Sequence, residues 1–64
     1  MSGRKTTYRQ TLMKYISALE KNAEPYGLES EVVSEFIINL MNDVSVHQAA
    51  LIAATEWDIP FSLE

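Results

Sequence analysis

Two Thr/Ser-x-x-Gln signatures and one Pro-Tyr-Gly interruption cut this chain into three stretches, each with apolar residues at helical spacing. The signatures are Thr7-Tyr8-Arg9-Gln10 and Ser45-Val46-His47-Gln48. In such a capping box, a hydroxyl and a side-chain amide each satisfy one backbone N–H that the first helical turn leaves free. After the first box, Tyr8, Leu12, Tyr15, Ile16 and Leu19 make one amphipathic stripe, which predicts a helix over about 7–22. Pro25 disfavours helical geometry at Glu24, and Gly27 can turn the chain.

Ser30 suits the N-cap of a second helix over about 30–42, with Glu31 and Glu35 near the positive end of its dipole. Val32, Val33, Phe36, Ile37, Leu40 and Met41 give it a broad apolar face, and Ile38 falls outside that face between Glu31 and Ser34. Asn42-Asp43 breaks the pattern. The third helix is expected over about 45–57, with Val44 stapled onto Ala49 and Pro60 pushing Ile59 out of helical geometry. Its face of Val46, Ala49, Ala50, Ala53 and Trp57 is mostly small, and Leu51 and Ile52 lie on its other sides. Pro60 can open a short fourth turn, since proline suits the first helical position. The expected fold is all-α, a small three-helix bundle. A flexible basic arm (1–6) precedes a single helical domain (7–61), and a tail (62–64) follows, whose Leu63-Glu64 fits a cloning remnant ahead of a purification tag.

At 64 residues the core is small, and the absence of cysteine rules out disulfides or thiolate metal sites as supplements. His47 is the only histidine, so a zinc site lacks nitrogen ligands, and no cofactor is expected. The longest apolar run, Ala49 to Ala54, falls far short of the ~20 residues that span a bilayer. The N-terminus has no apolar secretory core, so a soluble, cytoplasmic protein without a membrane partner is expected.

Charge is divided along the chain. Arg4, Lys5, Arg9, Lys14 and Lys21 are its only basic residues, and from Asn22 onward there are eight carboxylates and no cation. The formal charge of −4 thus combines a basic first third with an acidic remainder, and the two ends should prefer different partners. Nucleic-acid binding by Arg4, Lys5, Arg9, Lys14 and Lys21 is the alternative reading, since mobile cations can neutralise phosphates. It is the less favoured one, because the isoelectric point near 4.8 is far below that of typical nucleic-acid-binding domains. A helix-turn-helix built on the second and third helices fails similarly, since its reading helix would carry no cation.

No residue set specifies a reaction. Glu20/Glu24 and Glu31/Glu35 are i, i+4 carboxylate pairs on arcs opposite the apolar stripes, and one histidine would have to serve every role in a triad. Glycines number two, so there is no phosphate loop. The expectation is a non-enzyme. Apolar surplus is the stronger indication of function. Ile38, Leu51, Ile52 and Phe61 project away from the stripes a three-helix core consumes, and Met41 and Trp57 can join them as adaptable and anchoring residues. These six residues are the expected contact set for a protein partner, a second copy of the chain among the candidates.

Phe36-Ile37-Ile38, Val44-Ser45-Val46-His47-Gln48-Ala49 and Glu56-Trp57-Asp58-Ile59-Pro60 together resemble the central segment of phage late-transcription coactivators. These are small helical proteins that bridge a host RNA polymerase and the phage sliding clamp, so the resemblance implies a small phage-type transcription regulator. Gln48-Ala49-Ala50-Leu51 and Ala54-Thr55-Glu56-Trp57-Asp58-Ile59 look like parts of ubiquitin-associated-type three-helix domains. The loop those domains use for binding is replaced here by Asn42-Asp43-Val44.

Overall fold

The computed structural model describes residues 7–63. Three helices form: α1 (Tyr8–Ala23), α2 (Glu29–Met41) and α3 (Val46–Glu56), with a 3-10 turn at Glu24–Tyr26 between the first two. No strand occurs among the described residues, so the chain is a small all-α three-helix bundle.

The first capping box forms in full. Gln10 N–H donates to the Thr7 hydroxyl at 3.1 Å, and Thr7 N–H donates to the Gln10 side-chain oxygen at 3.0 Å. Ser45 makes half of the second box, its hydroxyl accepting from Gln48 N–H at 3.4 Å. The start of α2 departs from expectation. Leu28, not Ser30, is the N-cap, and no side chain caps the helix. The reason lies upstream: Gly27 adopts φ +68°, and the chain leaves that left-handed turn already aimed into α2. The Leu28 side chain packs against the core, and Ser30 sits exposed within the first turn. Glu24 also departs, keeping helical angles (φ −54°, ψ −46°) before Pro25. Pro25 falls in the first turn of the 3-10 segment, where its missing N–H removes no helical bond.

All three helical segments end in the same way. Gly27, Asp43 and Asp58 each have φ near +60° to +70°. The next residue then donates back across the helix end: Leu28 to Ala23 O, Val44 to Asn39 O, and Ile59 to Ala54 O at 3.3, 3.2 and 2.8 Å. This is the Schellman arrangement, in which orphan carbonyls are satisfied and the residue after the left-handed one returns apolar to the core. Leu28, Val44 and Ile59 all pack there.

The core consists of Leu19 and Ala23 from α1, Val32 and Phe36 from α2, Ala49, Ala50, Ala53 and Ala54 from α3, and Ile59. Each of Phe36, Leu19 and Val32, fully buried, contributes about 1.5–3 kcal/mol relative to exposure. Ala49, Ala50 and Ala53, of the small face expected from the sequence, together with Ala54 let α3 approach its neighbours closely. The apolar face of α2 is narrower than expected. Ile37 and Met41 are exposed, because they lie about 100° and 140° around the helix from Phe36 and two neighbouring helices cannot reach that far.

Beyond α3 the chain does not start a fourth helical turn at Pro60. Ile59 is buried, Phe61 stacks on Tyr15 with centroids 6.2 Å apart, and the Asn22 side-chain amide donates to Ser62 O at 2.9 Å. These contacts lay residues 59–62 along α1, which a helical turn at Pro60 would undo.

Candidate functional site

Five of the six expected contact residues are exposed. Ile38 is 50% exposed on the outer arc of α2, and Met41, at 78%, is the most exposed large apolar residue described. Leu51 and Ile52 are each somewhat more than one-third exposed on the outer face of α3, and Trp57 is similarly exposed at its C-cap. Phe61 does not join them. It is half-buried against the core through its stack on Tyr15, so the expectation that it projects outward is corrected. A chain segment held at Ile59 and Ser62 has no freedom to turn Phe61 away.

Helical spacing organises the α3 side of this face. Thr55 lies one turn beyond Leu51, and Glu56 one turn beyond Ile52. These four residues line a shallow, open depression of about 240 Å³. On α2, Ile38 stands on an outward arc shared with Glu31 and Glu35. Glu31 and Glu35 flank Ile38 on α2 and Glu56 flanks Ile52 on α3, whereas Glu29 lines a separate cavity with Lys21 of α1; α2 and α3 contain no cation. Among the described residues no carboxylate is in an ion pair.

The cations are elsewhere. Arg9, Lys14 and Lys21 are exposed on α1 and also unpaired, while Arg4 and Lys5 lie outside the described residues. No ion pair joins these cations to a carboxylate among the described residues, although Lys21 lines a cavity with Glu20, Glu24 and Glu29. Glu20, Glu24 and Glu31 are exposed and Glu35 is half-buried, in keeping with solvated helix faces. His47 is exposed, with its Nδ1 at 2.9 Å from the Tyr15 hydroxyl and its ring edge-on to the tyrosine ring at 5.9 Å. Tyr15 therefore joins His47, Phe36 and Phe61 in one aromatic cluster that ties all three helices and the tail together. Sequence reasoning placed Tyr15 on the apolar stripe but could not supply its partners, which lie far along the chain.

Among the described residues, no group of three or more His, Cys, Asp or Glu is placed to hold a metal, and no helix is long and apolar enough to cross a membrane. Tyr8 and Ile37, expected on the apolar stripes of α1 and α2, are exposed, as are Met13, Tyr26 and Leu63, which those stripes do not include. The fold defines the chain as a small three-helix domain whose second and third helices expose aliphatic side chains and carboxylates. Compared with protein-family models, curated proteins and solved structures, it matches none.

Proposed function

We propose that the protein is a non-enzymatic interaction module that docks on a larger protein through the outer face of α2 and α3. The observation that supports this reading is the exposure of Ile38, Met41, Leu51 and Ile52 on the two helices that carry only negative charge. Exposed apolar side chains ringed by polar groups favour a partner that removes them from water, and the charge keeps the free domain soluble. The more specific reading, a small regulator of transcription like the phage late-transcription coactivators, rests on the segment from Phe36 to Pro60. A cytoplasmic location accords with either version.

Affinity capture with the wild-type domain and with an Ile38→Ala, Leu51→Ala, Ile52→Ala triple variant tests the proposal. A protein retained by the wild type and lost by a variant of unchanged helical content is the expected result. A variant that loses stability yet retains the same partners makes these residues core and ends the reading. The rival, nucleic-acid binding by α1 and the preceding arm, is supported by the three exposed, unpaired cations of α1. A salt titration with duplex and single-stranded DNA and RNA decides it, because phosphate neutralisation gives a steep salt dependence.

A further inference from the structure

The geometry points to an occupant for this face: a short amphipathic helix of a partner protein, with an apolar stripe flanked by lysine or arginine. This inference rests on the docking reading above and adds the chemistry of the partner. Three features lead to it. The depression between Leu51, Ile52, Thr55 and Glu56 is open and about 240 Å³, below the ~300–1,000 Å³ in which small ligands are enclosed. It is large enough for one or two protruding apolar side chains. Its lining repeats at one helical turn, Leu51 with Thr55 and Ile52 with Glu56, so anchors spaced three to four residues apart on a partner helix match it.

Charge then selects among apolar helices. The acidic and basic side chains of α2, α3 and the turn between them, His47 apart, are all carboxylates, and among the described residues none is in an ion pair. Ile38 stands among Glu31 and Glu35, and Ile52 beside Glu56, so each apolar contact brings a partner's flanking residues close to anions. Cationic flanks gain attraction and faster encounter, whereas acidic flanks meet repulsion at every such position. The anions thus act as a filter on a sticky surface.

The test uses three synthetic peptides of about five helical turns. One has a leucine stripe with lysine flanks, the second the same stripe with glutamate flanks, and the third the lysine peptide scrambled to abolish the stripe. Amide chemical shifts of the isotope-labelled domain locate binding, and anisotropy of labelled peptide measures affinity. The expected outcome is saturable binding of the lysine-flanked peptide that shifts residues 38, 51, 52, 55 and 56. Affinity should be at least about tenfold weaker for each of the other peptides, for the Ile52→Asp variant, and for wild type in high salt. Equal binding of lysine- and glutamate-flanked peptides at this face overturns the basic partner while leaving the docking reading standing. Absence of any shift at the face with all three peptides overturns both. Self-association in sedimentation that is abolished by Ile52→Asp assigns the face to a second copy and likewise overturns the basic-helix occupant.

Discussion

Replacing Phe36 by alanine should remove most of the stability of the domain. Phe36 is fully buried in the core cluster to which all three helices contribute, and stacks on Tyr15 of α1 at a centroid distance of 6.4 Å. Truncating such a ring costs about 3–5 kcal/mol, through lost transfer energy and an unfilled cavity. A domain of 64 residues has only about 3–10 kcal/mol in total, at roughly 0.05–0.15 kcal/mol per residue. Phe36→Ala is therefore expected to be largely unfolded in buffer or to unfold at the first additions of urea. Phe36→Leu retains much of the volume and should cost about 1–1.5 kcal/mol, lowering Tm by about 4–12 °C. Urea titration followed by far-UV circular dichroism measures both, with the slope of free energy against urea unchanged for the leucine variant. Met41→Ala, five residues further along α2 and 78% exposed, is the control and should stay within about 0.5 kcal/mol of wild type. If Phe36→Ala costs no more than Met41→Ala, the side of α2 that faces the core has been misassigned and the bundle described here is wrong.

Other outcomes follow from the helix ends and from the alanine face. Gly27→Ala should cost about 1 kcal/mol by urea unfolding, because a Cβ there meets nothing within 4 Å and only the left-handed backbone opposes it; Gly27→Asn should cost less. Asp58→Val, at φ +60°, should destabilise more than Asp58→Gly in thermal unfolding, and equal Tm values would argue against the left-handed cap at the end of α3. Thr7→Ala should lose about 0.5–2 kcal/mol, and lose nothing if the capping box does not form in solution. Ala53→Leu should cost about 1–3 kcal/mol, since the site is fully buried and enlargement forces α3 away from its neighbours; a neutral result would reveal unfilled space beside that helix.

The candidate face was partly legible in the sequence. Ile38, Leu51 and Ile52 could be placed off the core stripes by counting at 100° per residue, and the structure finds them exposed. Met41 was assigned both to the apolar face of its helix and to the partner surface, and only its position beyond reach of α1 and α3 separates the two. The outward placement of Phe61 fails, because a wheel describes a helix and Phe61 lies past the end of one. Its burial depends on Tyr15 and on the bond from Asn22 to Ser62, a pairing 40 residues apart in the chain.

What the sequence determined by itself was the local part: three helices, their order, and starts after Thr7 and Ser45. Capping and hydrophobic periodicity act within one or two turns, so the residues responsible are neighbours in the chain. Only the tertiary structure decided which half of the apolar face of α2 is buried, how Leu28 could replace Ser30 as the start of that helix, and where the tail runs. Those choices depend on contacts such as Tyr15 with His47, separated by 32 residues, and on how far two helices can extend around a third. The acidic and apolar character of the second half was written in the sequence. That Ile38 stands exposed on the arc of Glu31 and Glu35, and Leu51 and Ile52 exposed beside Glu56, was settled by packing.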